Sequence, residues 1–445
     1  MADPGMSGVA KFRGRVDRSD GFDLLIVGAV TLFVIAATVV GRRLLASGEP
    51  IFAGAAPLQG SWDLRTGVGT VLSVTVALVV VTAGVRWTRS AKFSQLWLVT
   101  WVVSMLWVLA LAWIDPWAQG VTQPLLSPFE YLADVDRISS WADLTSDFTA
   151  SIPSDAPQPW TTHVSSHPPG ALAPFVLLDK VGLRGAGPAA AMLITIGTST
   201  AAALIVTARK LVGVDAARRL APFAALAPGA VWIVSSADAM FMGVAAWGVT
   251  LVAVASGASG RQRAGYAVCA GLLLATALYM SYGMTLILLV AASVLALRRA
   301  WKAAVWVAVG GLLVVAAVTF SGFWWFDGYQ SVVERYYDGY GGVRPQSYWV
   351  WANLAAFALA LGPAALVGLR RARGSIAVVA WSATAAVLLA TLGGLSKAEV
   401  ERIWLPFGAW VLFAAAAIPL SRTRVWLAAQ AATVIVVAHL LVAPW

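Results

Sequence analysis

The chain has 445 residues, 60% of them hydrophobic and only 12% charged, with a mean hydropathy of +0.78. Soluble domains carry roughly a quarter of their residues charged, so a soluble globular protein is excluded. A net charge of +10 does not indicate nucleic acid, because the lysines and arginines lie in short connections between apolar runs, where they set membrane topology.

Residues 1–21 are basic and polar, lack a clear cleavage site, and read as a cytoplasmic tail. Apolar runs follow at about 22–41, 67–85, 95–114, 186–208, 217–234, 238–256, 265–280, 283–297, 302–321, 348–369, 375–393, 403–420 and 424–442. Several reach the roughly 20 residues that cross a bilayer as helix. Backbone groups in lipid must bond within the segment, so helices are required, and the alternation of a membrane barrel is absent. The expected class is an all-α polytopic membrane protein with about 11–13 transmembrane helices and long outer loops carrying short helices. Residues 168–182 include Asp179 and Lys180 and are too short to cross; they read as a surface or re-entrant helix. Cys269 is the single cysteine, so no internal disulfide forms. The chain divides into the tail 1–21, two spans and a first outer loop over 22–94, a core over 95–300 with outer loop 115–187, and C-terminal spans over 301–445 with an aromatic loop 321–349.

Alternate connections differ in kind. Those at 11–18, 86–92, 209–219, 260–263, 298–302, 370–373 and 421–424 are basic and nearly free of acid, which places them in the cytoplasm and the C-terminal "APW" outside. The others, 42–66, 115–187, 235–240, 321–349 and 394–404, hold most of the acids, two of the three histidines and much of the Trp and Tyr. Long connections with aromatic content are ordered and functional, so the working face is extracytoplasmic. No ionisable series runs through successive spans, which disfavours a transporter.

Within the outer connections, "SPFEYLADVDRISSWADL" offers Asp134 and Asp136 beside Arg137. Two residues apart on a helix diverge by about 200°, so one of the two faces a given cleft. A carboxylate at the edge of an apolar cleft suits a general base; a solvated loop with Asp134 as a helix cap is the plainer reading. "TTHVSSHPPGALAPF" holds His163 and His167 ahead of Pro168 and Pro169. Prolines fit a first helical turn, which would hold His167 at a helix N-terminus suited to anions. A His-x-x-x-His pair without a third ligand is a poor zinc site, and no metal or cofactor is expected. Asp238, in "VSSADAMFMG", reads as a cap or a site acid. In "LSKAEVERIWLPF", Lys397 and Glu401 are spaced for an i,i+4 pair, and Arg402 suits bidentate phosphate binding. The aromatic loop adds Asp327, Glu334, Asp338 and Arg344.

With "ADVDRI" followed by "HPPG", and an acid in the short turn after "LAPGAVWIVSSAD", the chain resembles the polyprenyl-phosphate-dependent glycosyltransferases of the GT-C fold, in particular actinobacterial mannosyl- and arabinosyltransferases of the cell envelope. The resemblance is best over 95–300. It implies a sugar donor on a polyprenyl phosphate, a glycan or glycolipid hydroxyl as acceptor, and inverting displacement at a plasma-membrane site facing outward. It puts Asp134 in the place of the catalytic base, with Asp136 and Asp63 of "GSWDLR" as alternatives. His163, His167, Asp238, Arg344, Lys397 and Arg402 would contact substrate or the lipid phosphate. A multi-span lipid or glycan flippase is the rival class.

Overall fold

A computed structural model describes residues 18–443; the expectations for 1–17 and for the last two residues lie outside the described residues. Among the described residues, ten helices are long and apolar enough to cross a membrane: Ser19–Ala46, Val68–Trp87, Phe93–Ala112, Ala186–Leu211, Ala237–Ser256, Gly260–Met280, Trp301–Phe320, Gln346–Arg371, Gly374–Gly393 and Thr423–Leu440. Two more apolar helices, Tyr282–Leu297 and Leu405–Ala417, are shorter. The protein is an all-α multi-pass membrane protein.

The apolar run 217–234 is not one helix. Val214–Ala225 carries Pro222, and a separate 3-10 turn, Pro228–Trp232, follows. Ala227, ahead of Pro228, is extended (ψ 136°), as the proline ring demands of its predecessor. The break frees carbonyl groups. The fully buried Gln430 answers two of them, its Nε2 donating to Phe223 O at 3.1 Å and Leu226 O at 2.8 Å. Non-helical backbone at such depth survives where protein encloses it. The facing helix Gln346–Arg371 kinks at Gly362 (φ 72°), just before Pro363. A Cβ there would sit 2.9 Å from Pro228 Cγ, so glycine is needed both for its left-handed backbone and for the close approach.

The basic connections gather at one end. Asp23 is wholly buried and accepts from Arg370 Nε at 2.7 Å and Arg371 Nε at 2.8 Å, while Asp20 accepts from Arg422 Nε at 3.1 Å. Arg219 Nε reaches Ala416 O at 2.8 Å. The opposite end carries the loops. There Ser61–Trp62 pairs antiparallel with Leu441–Val442, and Arg65 pairs with Asp115. The loop after Phe93–Ala112 folds into short turns and helices, ending in Ala173–Lys180, a short helix within the stretch 168–182. Phe148 anchors it, with rings of Trp160 at 5.2 Å and Phe323 at 5.8 Å.

Candidate functional site

Two segments of the long loop lie side by side. The 3-10 stretch Tyr131–Arg137 and its approach run along residues 158–163. His163 N–H donates to Phe129 O at 3.0 Å, and Thr161 N–H to Asp134 Oδ2 at 2.9 Å. Arg137 Nη1 donates to Asp134 Oδ1 at 2.8 Å and to Pro159 O at 3.1 Å, Nη2 reaches Gln158 O at 2.9 Å, and the guanidinium lies 3.8 Å over the Trp160 ring. Asp134 is buried with both oxygens engaged, whereas Asp136 is exposed, the divergence expected of residues two apart.

At the other end of this ladder, Glu130 Oε1 meets His163 Nδ1 at 2.7 Å; their side chains are 6% and 16% exposed. His163 belongs to the single helical turn Thr162–Ser165. "HPPG" opens a 3-10 turn, Pro169–Ala171, before the helix proper, so His167 sits ahead of that turn and not at the N-terminus of a long helix as expected. Its Nδ1 lies 2.8 Å from His163 O and 2.9 Å from the Tyr131 hydroxyl. The ring packs 5.3 Å from Phe241, and Tyr131 stacks on Phe175 at 5.1 Å.

Facing this ladder is the segment before Leu405–Ala417. Asp238 begins the helix Ala237–Ser256, capped by Ser236, whose hydroxyl accepts from Asp238 N–H at 3.2 Å and donates to Asp238 Oδ2 at 3.0 Å. Arg402 Nη1 donates to Asp238 Oδ2 at 2.8 Å, and Nη2 to Glu399 Oε2 at 3.0 Å. Arg344 Nη2 lies 3.7 Å from Glu399 Oε1. Ala398 (φ 71°) and Glu399 (φ 62°) are both left-handed, a conformation uncommon outside glycine that stores about 1–3 kcal/mol per residue. Asn353 holds the strained pair on both sides. Its Nδ2 donates to Ser396 O at 2.5 Å, and its Oδ1 accepts Ala398 N–H at 3.1 Å.

Lys397 braces this segment. Its Nζ donates to Gly341 O at 2.6 Å and Arg344 O at 3.1 Å. It does not pair with Glu401 as the spacing suggested, because Lys397 precedes the helical turn Val400–Ile403 and the i,i+4 geometry never forms. Glu401 Oε1 instead accepts Gln59 N–H at 2.8 Å, and burial pushes its carboxyl up to about 7.

The cluster is electrostatically coupled. Burial raises the Tyr131 hydroxyl's pKa, reinforced by Asp238 and Glu130 and opposed by Arg402. Burial lowers that of His167, with Asp238 opposing. For Glu399, burial works toward protonation, yet Arg402, Arg344 and His163 together hold the carboxyl below its ordinary value. Arg402 is held charged: burial opposes it, and Asp238, Glu399 and Glu130 outweigh burial. His163, His167, Asp238, Arg344 and Arg402 therefore meet, with Lys397 as a backbone brace. Asp134 stands apart, its charge felt by Arg335 of the aromatic helix Trp325–Asp338. Asp63 is exposed, its N–H bonded to Leu440 O at 2.9 Å.

Glu130, Tyr131 and Glu399 belong to the cluster and were not nominated from sequence. Glu130 and Tyr131 stand in "FEYLAD", four and three residues before Asp134, and Glu399 stands beside Lys397; only the fold reveals what they face. Among the described residues, no group of three or more His, Cys, Asp and Glu side chains is placed to hold a metal ion.

No protein-family model matches the sequence, and no curated protein matches it. Among solved structures, the chain is similar over 90% of its length to ArnT from Cupriavidus metallidurans, at 14% identity and a TM-score of 0.39. It is similar over 77% to the Archaeoglobus fulgidus oligosaccharyltransferase, whose crystals held Zn and sulfate, at 14% identity and a TM-score of 0.44. The chain spans 60% and 51% of those two proteins' lengths. Both scores lie below 0.5, and no activity is transferred from either.

Proposed function

We propose that this protein is a GT-C-type membrane glycosyltransferase, moving a sugar, mannose or arabinofuranose, from a polyprenyl phosphate to a cell-envelope hydroxyl with inversion, on the extracytoplasmic side of the plasma membrane. The observation that carries this reading is the buried meeting of Arg402 and Arg344 with Asp238, Glu399 and the Glu130–His163 pair at the loop end. A departing lipid phosphate gains negative charge as the glycosidic bond breaks. Fixed guanidinium groups in a water-poor site stabilise that charge far better than solvent does, and their planar forks match phosphate oxygens. An apolar cavity of about 50 Å³ reaches Glu401 and Trp404 from among Leu204, Phe357, Leu361 and Leu412, and Glu401 is Arg402's neighbour in sequence.

Asp134, the base nominated from sequence, would have to leave its ion pair with Arg137 to accept a proton. The cluster's titratable groups sit at the loop end rather than along successive spans, which favours chemistry there over transport across the bilayer. The test is transfer of radiolabelled sugar by the full chain in proteoliposomes, from polyprenyl-phosphate donors carrying mannose or arabinofuranose, onto envelope glycolipid acceptors. Wild-type protein is expected to transfer from at least one donor. Asp134→Asn keeps an acceptor for Thr161 N–H while removing the base, so base action predicts a loss of about 100-fold or more and a bracing role predicts a small one. No transfer from any lipid-phosphate sugar defeats the reading.

A further inference from the structure

The Glu130–His163 pair places a buried carboxylate oxygen 2.7 Å from Nδ1 of an imidazole, a close contact whose angle falls short of a hydrogen bond. A carboxylate this close to Nδ1 favours a proton on that nitrogen and leaves the opposite nitrogen as the basic one. Both partners are held by the backbone: His163 N–H bonds to Phe129 O at 3.0 Å, next to Glu130 in sequence. The carboxylate is nearly closed off at 6% exposure, while the imidazole keeps 16% open. The group that can meet a substrate is therefore the ring.

We infer that His163, oriented by Glu130, takes the proton from the acceptor hydroxyl during sugar transfer; this rests on the function proposed above. In the step, the acceptor oxygen forms its bond to the anomeric carbon as its proton passes to His163 Nε2. The bond from that carbon to the phosphate oxygen breaks, and its electron pair leaves with the lipid phosphate toward Arg402 and Arg344. Glu130 is a positioning residue that stabilises the imidazolium so formed.

Charged groups face the ring from every side. Glu130 and Tyr131 come from its own loop, and His167 from the following turn. From the C-terminal segment, the charge of His163 is felt by Glu399, which bonds Arg402, and Asp238 on the adjacent helix bonds the same arginine. Acids Glu130, Asp238 and Glu399 stand with the two arginines Arg344 and Arg402, so a proton gained by His163 arises among carboxylates. Asp134 has neither property: its oxygens are engaged by Arg137 and Thr161 N–H, and its charge acts on Arg335.

The experiment uses the full chain in proteoliposomes with the same donor and acceptor, comparing wild type with His163→Gln, Glu130→Gln and Glu130→Asp. His163→Gln is expected to lower kcat about 100-fold or more, the range of a lost general base, with donor KM changed less than about threefold because ground-state binding is spared. Glu130→Gln is expected to lower kcat with donor KM likewise held, and Glu130→Asp to restore part of kcat, whereas a merely structural pair would move KM with kcat and gain nothing from aspartate. If His163→Gln does not fold, the kcat of Glu130→Gln and its recovery in Glu130→Asp decide. Wild-type transfer with an unchanged kcat in His163→Gln, or an unchanged kcat in Glu130→Gln, overturns the inference alone. Absence of transfer by wild type overturns the proposed function with it.

Discussion

Glu401 shows how one residue's chemistry is set by where its backbone is fastened. Gln59 N–H donates to one of its oxygens, and most of the cavity wall beside it is apolar. Burial raises its carboxyl to about 7, above its value in an unfolded chain. The folded state thus binds the extra proton, so the stability this group contributes is full at low pH and is lost as pH rises from the ordinary carboxylate range through about 7. Melting temperature in detergent should fall over that window, and Glu401→Gln should flatten this part of the profile; an unchanged slope would contradict the burial argument. Spacing suggested that Glu401 pairs with Lys397, because residues four apart meet on a helix. The strained Ala398–Glu399 pair interrupts that helix, and nothing in a sequence announces left-handed non-glycine residues. By contrast Asp238, His163, His167, Arg344 and Arg402 were legible, because few polar groups in so apolar a chain stand at span ends.

At the scale of elements, thirteen apolar runs were read and ten proved to be long helices. Runs 217–234, 283–297 and 403–420 contain 3-10 turns. Hydropathy registers only that these residues avoid water; whether the passage is continuous depends on which neighbours answer its freed carbonyls. Pro222 and Pro228 were visible warnings, and Gln430, in a helix about 200 residues later, is the answer. Gln430→Leu leaves two buried carbonyls without that donor and should cost about 2–6 kcal/mol, at roughly 1–3 per stranded group, read as a lowered unfolding midpoint in detergent. An unaffected midpoint would show that the break is satisfied in another way. Gly362→Ala should destabilise as well, since a Cβ meets Pro228 Cγ at 2.9 Å on a left-handed backbone.

For the whole molecule, charge separates the two ends. Arginines of distant connections converge on Asp20 and Asp23 at one end, and the paired acids, histidines and aromatic loops occupy the other. The positive-inside bias predicts that the first end faces the cytoplasm. With Cys269 replaced by alanine, a cysteine at exposed Ser154 should label with an impermeant maleimide from outside intact cells, and one at exposed Ser259 only after permeabilisation. The reverse pattern would place the cluster on the nucleotide-bearing side and remove the case for a lipid-phosphate donor.

The central claim is that Arg402 carries the charge of a departing lipid phosphate, and the most direct measurement is sugar transfer from a polyprenyl-phosphate donor by folded Arg402→Gln and Arg402→Lys proteins in proteoliposomes. The account predicts a loss of at least about 100-fold in kcat for Arg402→Gln, the size of one lost transition-state donor, and a smaller loss for Arg402→Lys, which keeps the charge without the fork. A folded Arg402→Gln protein that transfers sugar at the wild-type rate would contradict it.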